Sequence, residues 1–204
     1  MRFVALLLCL LAALPVPAAR AAKPLRINLG TLAPRGSSYH QALQAMSEAW
    51  RTASNGQVKL VIYPDGTQGT ETDMVRLMRI GALQAGLLTS AGLERIEENV
   101  AGMQKLPFVF HDLDEFDHII RVMSPRLERQ FDEKGFHVLF WTDAGWLRLF
   151  STEPALTPDD FARLKFFVWA DPKQAGILKQ IGQNPVSLET NDLPAALQTG
   201  LTPS

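Results

Sequence analysis

Between Leu25 and Thr89 the chain alternates short runs of strand periodicity with longer runs of helical periodicity, which limits the fold more than any other feature. Leu25 to Leu32 (LRINLGTL) alternates apolar and polar residues, as a half-buried strand does. The turn residues Ala33-Pro34-Arg35-Gly36-Ser37-Ser38 follow, and then Tyr39, Ala42, Leu43, Met46, Ala49, Trp50 and Ala53 recur at helical spacing. Asn55-Gly56 closes that helix. Val58, Leu60 and Ile62 mark a second strand that stops at Pro64-Asp65-Gly66. Thr70 is placed to cap a helix with its stripe at Met74, Leu77 and Met78 and its stop at Gly81, before a third strand over 84–89. Strands separated by helices of this length imply βαβ units and a mainly parallel sheet. Ligands of such sheets lie off the carboxyl ends of the strands, so loops 33–38, 66–71 and 89–92 are expected around one cleft.

Farther along, Leu106-Pro107-Phe108-Val109-Phe110 reads as an apolar loop or short strand. Phe116, Ile119, Ile120 and Met123 form a helical face that Leu127 and Phe131 continue as far as Gly135. Strand-like runs are expected at 136–141 (FHVLFW), 146–151 (WLRLFS) and 165–169 (KFFVW). Helices are expected over 174–181 and 192–200. No repeat is present.

The first 22 residues hold Arg2, an apolar run from Phe3 to Leu14, then prolines and small residues, the pattern of a cleaved secretory signal. The run is shorter than the roughly 20 apolar residues a membrane-spanning helix needs. Cys9, the sole cysteine, lies inside it after Leu8, whereas a lipid-attachment cysteine is expected after a small residue at the end of such a run. Cleavage therefore leaves a chain of 182 residues without a thiol, for which disulfides and cysteine chemistry are excluded. It also removes two of the 20 basic residues, leaving 18 against 21 acids, so nucleic acid is not an expected partner.

Residues of obvious chemistry fall into structural roles. Gly66-Thr67-Gln68-Gly69-Thr70 lacks the Gly-Lys-Ser/Thr of a phosphate loop and reads as a turn into a helix N-terminus, whose free N–H groups still suit a polar or anionic ligand. His40, His111, His118 and His137 have no metal-binding spacing, and Asp112, Asp114, Glu115 and Asp117 suit the start of a helix. No serine stands in a nucleophile motif. No metal, cofactor or catalytic residue is expected. Trp146, Phe166, Phe167 and Trp169 are an aromatic concentration on two expected strands. Alternation sends Phe166 and Val168 one way and Phe167 and Trp169 the other, so one pair is core and the other meets a covering helix or a ligand.

In order and spacing, LRINLGTLAP, AWRTASNGQVKLVIYPDGTQGTETDMVRLMRIGALQAG, LPFVFHDLDEF, GFHVLFWTDAGWLRLF, LTPDDFARLKFFV and PAALQTG resemble the DctP-like solute-binding proteins of tripartite ATP-independent periplasmic (TRAP) transporters. The resemblance runs from about Leu25 to Gly200. It implies an α/β, two-domain periplasmic-binding-protein-like fold with a cleft between domains, here a first domain over 23–141 and a partial second one over 142–204. It further implies a periplasmic receptor that closes about a hinge on a small solute and passes it to a TRAP-type permease.

Two departures bear on the ligand. Where the family pattern has Leu-Lys-Ile-Arg, this chain has Leu164-Lys165-Phe166-Phe167. Where an arginine commonly follows Gly-aromatic, Leu147 follows Gly145-Trp146 and Arg148 comes one residue late, a shift that sends a strand side chain to the opposite face. Leu147 and Phe167 cannot supply the charge-assisted bonds that hold a carboxylate. An apolar or aromatic ligand is expected unless Lys165, a re-aimed Arg148 or a metal ion compensates. The expected cleft is Ala33, Ser37, Ser38, Gln68, Thr70, Glu71, Thr89 and Ser90 on one side, and Trp146, Arg148, Phe167 and Trp169 on the other. Relatives of this kind continue past ALQTG, so a truncated, binding-incompetent piece is one alternative. A secreted α/β enzyme is another, though no acid, base and nucleophile can be nominated for it.

Overall fold

The structure, a computed structural model, describes residues 23–102, 110–146, 148, 150–169 and 172–202. The expected signal over 1–22, Leu106 to Val109 of the apolar loop, Leu147, and Pro203-Ser204 lie outside the described residues.

Strands β1 (Leu25–Thr31), β2 (Val58–Tyr63) and β3 (Ala85–Leu87) form a parallel sheet in the order β2-β1-β3. Leu25 is opposite Val58 and Leu29 is opposite Ala85. Helix α1 (Ser38–Ala53) joins β1 to β2, and α2 (Glu71–Arg79) joins β2 to β3. Because β1 is central, right-handed crossovers to its two sides place these helices on opposite faces of the sheet. Leu43 of α1 packs with Leu29 and Leu60, and Met46 and Trp50 enlarge that cluster. Each such fully buried aliphatic side chain contributes about 1.5–3 kcal/mol. On the other face Gly30 admits α2, since a Cβ there would stand 3.2 Å from the Met74 sulfur and 3.0 Å from Leu83 Cδ1.

Beyond β3 come α3 (Ser90–Leu93), a 3₁₀ turn over Glu98–Gly102 and the long α4 (Leu113–Glu133). Asp112 caps α4 by accepting from Glu115 N, and Pro125 lies inside it. Leu127 and Phe131 of α4 pack with Val75, Ile96 and Val100 in a second core cluster. Trp141 meets Phe131 edge-on at 6.0 Å and donates its indole N–H to Glu128 Oε1 at 2.9 Å.

The C-terminal part is smaller. Helix α5 (Pro158–Arg163), β4 (Lys165–Trp169), α6 (Pro172–Gln180), β5 (Asn184–Leu188), a 3₁₀ turn over Thr190–Asp192 and α7 (Leu193–Gln198) follow in order. β4 and β5 pair in parallel, with Lys165 opposite Asn184 and Trp169 opposite Leu188. Val168 and Leu164 are buried, whereas Phe150 (80% exposed), Leu156 (89%), Ile177 and Ile181 face solvent.

The strands expected over 136–141 and 146–151 require correction: the described residues of both runs carry no strand pairing. Phe136, Val138 and Trp141 pack on the second core cluster instead, so an alternating pattern is satisfied by burial on a helix with no ladder. In the other direction, β5 went unpredicted because Pro185 demotes a short run as a strand candidate.

Candidate functional site

The carboxyl ends of β1, β2 and β3 carry three loops that are bonded to their neighbours. Asp65 N donates to Ala33 O (3.1 Å) and Gly66 N to Thr31 O (3.1 Å), while Arg35 N donates to Asp65 Oδ1 (2.7 Å). These bonds fix the loop after β1 against the loop after β2. Ser37 caps α1, its Oγ accepting from His40 N at 3.3 Å. His40 is buried and accepts from Gly36 N at 3.0 Å through Nδ1, so its ring holds the turn.

At the next corner Thr70 and Asp73 form a capping box at the start of α2. The first residue of that helix, Glu71, is only 7% exposed. Its carboxylate accepts from Thr89 N (2.6 Å), from Thr89 Oγ1 (2.6 Å) and from the Gly92 N–H. The start of α2 is thereby latched to the corner between β3 and α3. A Cβ on Gly92 would fall 2.8 Å from Glu71 Cβ, so this approach needs glycine. Burial pushes the Glu71 carboxyl above its ordinary range. The Thr89 and Gly92 donors oppose the rise, and the negative charge of Glu189 adds to it.

That Glu189 belongs to the C-terminal part, just past β5. A cavity of about 20 Å³, room for about one water, lies between the two sheets. Leu32, Thr70, Glu71, Thr72, Ala91 and Arg95 line it from the three-stranded side, and Trp169, Glu189 and Thr190 from the two-stranded side. Pockets that hold a sugar-sized molecule measure several hundred Å³, far more than this cavity.

Of the residues expected in the cleft, Thr70, Glu71 and Trp169 line this cavity. Thr89 is bonded to Glu71 and Ser90 begins α3 directly after it. Phe167 is the edge-on partner of Trp169, with ring centroids 5.5 Å apart. Ala33, Ser37, Ser38 and Gln68 sit on the same rim of loops without lining the cavity. Trp146 is 46% exposed and Arg148 is exposed, and neither borders it. A further link between the parts is the Tyr39 hydroxyl, which donates to the Asp143 carbonyl oxygen.

Sequence reasoning missed Arg95, Glu189 and Thr190. The last two follow the unpredicted strand β5. Arg95 sits in a turn after a helix of only four residues, too short for a periodic signal.

Residues 29–201 match a family model described as bacterial extracellular solute-binding protein, family 7. The 2,3-diketo-L-gulonate-binding periplasmic protein YiaO of Escherichia coli K12 is 25% identical over 184 residues, 88% of this chain and 54% of that protein. A C4-dicarboxylate-binding periplasmic protein of Rhodobacter capsulatus is 22% identical, over 93% of this chain and 56% of its own length. Among solved structures, a TRAP periplasmic solute-binding protein of Pseudomonas putida F1 with bound D-glucuronate superposes with a TM-score of 0.79 at 25% identity. The match covers 88% of this chain and 59% of that one. The chain thus spans about half the length of the curated relatives it matches.

Proposed function

The chain belongs to family 7 of the bacterial extracellular solute-binding proteins, and from that premise we propose that it captures a small organic solute outside the cytoplasmic membrane for delivery to a TRAP-type permease. On this reading residues 1–22 are an export signal and the site of action is the periplasm. The first domain ends near Trp141, a boundary supported by the packing of Trp141 on Phe131. The second domain occupies 142–204. The protein binds and releases its solute without chemical change.

One observation carries the reading: the inter-sheet cavity takes walls from both parts of the molecule, as a hinge-closing receptor requires. The proposed solute contacts on the three-stranded side are Ala33, Ser37, Ser38, Gln68, Thr70, Glu71, Thr89 and Ser90. Trp146, Phe167 and Trp169 are the proposed contacts from the other. A second reading, a piece of such a receptor that cannot bind, is favoured by the apolar side chains left exposed around β4 and β5, Phe150, Leu156, Ile177 and Ile181.

Calorimetry of the purified chain against D-glucuronate, L-gulonate, succinate and their uncharged counterparts separates the two. Saturable binding of a solute recovered unaltered is the expected result. Absence of binding by a chain that unfolds cooperatively favours the second reading.

A further inference from the structure

We propose that the meeting of the two sheets is gated by one proton: Glu71 on the three-stranded side and Glu189 on the two-stranded side face one cavity, and the two parts close when a proton neutralises the pair. The inference rests on the receptor reading for its purpose and adds what sets how readily the receptor closes.

Both carboxylates border the cavity of about 20 Å³, which has room for about one water and none for a hydrated counter-ion. Glu189 precedes the 3₁₀ turn over Thr190–Asp192, yet its side chain makes no capping bond to that turn. Among the described residues no hydrogen bond or ion pair holds its carboxylate. The other charges around Glu71 have their own places. Asp73, on the same helix, is bonded to Thr70 and Arg76. Asp65, on the loop before α2, pairs with Arg35. Thr89 and Gly92, at the corner between β3 and α3, are uncharged. Arg95, in the turn after α3, borders the same cavity, and the charge that bears on Glu71 is that of Glu189.

Two like charges with little water between them repel far more than they do in bulk solvent. Closing the parts brings Glu189 toward Glu71 and strips water from both, so the ionised pair opposes closure and a proton from solvent removes the opposition. Glu71 is the seat of that proton, since burial and then the Glu189 charge raise its affinity for one. The latch to Thr89 survives the change. Thr89 N still donates to Oε1, and the Thr89 hydroxyl, 2.6 Å from Oε2, can donate to the carboxylate or accept from the protonated acid.

Closure therefore takes up a proton. Its favourable contribution is fully present below the open-state pKa of Glu71 and is lost as pH rises through the closed-state value. A solute that closes the parts is then held more tightly as pH falls, by up to about tenfold per pH unit within that window.

The test needs no solute. Gln44→Cys and Lys179→Cys, exposed positions on α1 and α6, carry a donor and an acceptor dye in a chain with Cys9→Ser, and their separation is followed from pH 8 to pH 5 with far-ultraviolet dichroism in parallel. The expected result is a change of separation as pH falls while the dichroism stays constant. Glu189→Gln raises the ratio of closed to open forms at pH 7.5 by about tenfold, and Glu71→Gln does the same and flattens the profile. Asp117→Asn, an exposed charge on α4, follows the wild type. A separation that ignores pH in the wild type, or a profile that Glu71→Gln leaves unchanged, overturns the gate. Glu189→Gln decides alone if Glu71→Gln does not fold, because the Glu189 side chain makes no bond within the fold, and wild-type behaviour of that variant overturns the gate. A profile that differs between sodium chloride and choline chloride at equal ionic strength puts a metal cation in place of the proton and also overturns it. Solute binding with a separation independent of pH defeats the gate alone, whereas a pH-dependent separation in a chain that binds no solute defeats the receptor reading.

Discussion

The three-stranded and two-stranded parts of the molecule are built from the same βαβ unit but differ sharply in how they bury it. Around β1, β2 and β3 the cores reach Leu29, Leu43, Leu60, Met74, Val75, Leu127 and Phe131, with helices on both faces of the sheet. Around β4 and β5 the buried apolar residues, among those described, are Leu164, Val168, Ala175, Pro185 and Ala196. Phe150 and Leu156, from the segment before β4, and Ile177 and Ile181, from α6 and just past it, stay in contact with water. Parallel sheets are stable when both faces are covered, so the comparison separates a self-sufficient scaffold from a dependent one. The cavity lies where they meet, with its polar latch on the stable side and its aromatic wall on the weaker side.

The largest test of that contrast is Phe131→Ala, which opens a cavity in the second core cluster. It is expected to cost about 3–5 kcal/mol in urea unfolding, whereas Val168→Ala in the two-stranded part costs less than half as much. Equal costs would erase the distinction. Next comes Gly92→Ala, which forces a methyl group against Glu71. A loss of about 1–3 kcal/mol is expected, with exchange protection falling at Thr89 and at the start of α2 ahead of the rest of the sheet.

Glu71→Gln sharpens the comparison through pH. Because burial raises the folded-state pKa of Glu71, its contribution to stability is fully present below the ordinary carboxylate value near 4.3. It is lost as pH rises through the folded pKa. Asp73 and Asp160 titrate in the opposite sense, their pKa values lowered chiefly by the hydroxyls of Thr70 and Thr157. They support the fold above about pH 3.9 and lose that support as pH falls through their folded values. The glutamine variant should therefore lose the part of the stability decline that lies just above pH 4.3 and keep the acid limb. An unchanged profile above that pH would show that Glu71 is not desolvated. The smallest expected effect belongs to Phe150→Ser and Leu156→Ser, within about 0.5 kcal/mol in unfolding, accompanied by a fall in self-association measured by light scattering. A loss above 1 kcal/mol would mean that these side chains are packed after all.

How much of this was readable in the residues follows from where local rules and tertiary rules agree. Thr70 and Asp73 announce the start of α2, Asn55-Gly56 the end of α1, and Pro64-Asp65-Gly66 the corner that bonds to Ala33. Each is a turn or cap signal written in adjacent residues, even where, as at Asp65, the bond it makes is to a distant loop. FHVLFW carries a strand pattern yet packs on α4, because burial can satisfy alternation without a ladder. NPVSL makes a strand despite Pro185, because β4 pairs with it over its whole length. In the site, Thr70, Glu71 and Trp169 were legible from their places at element ends. Arg95 and Glu189 were not, since what brings them to one cavity is the packing of two sheets that no local pattern encodes.

If solute is held between the two sheets, Trp169 is part of the wall it meets. Replacing Trp50, Trp141 and Trp146 by Phe leaves Trp169 as the sole indole, whose emission is then followed while D-glucuronate, L-gulonate and succinate are titrated in parallel with calorimetry. A saturable change in Trp169 emission is expected for at least one acid, with the same midpoint as the heat signal. Calorimetric saturation with unchanged Trp169 emission would place the solute elsewhere and contradict it.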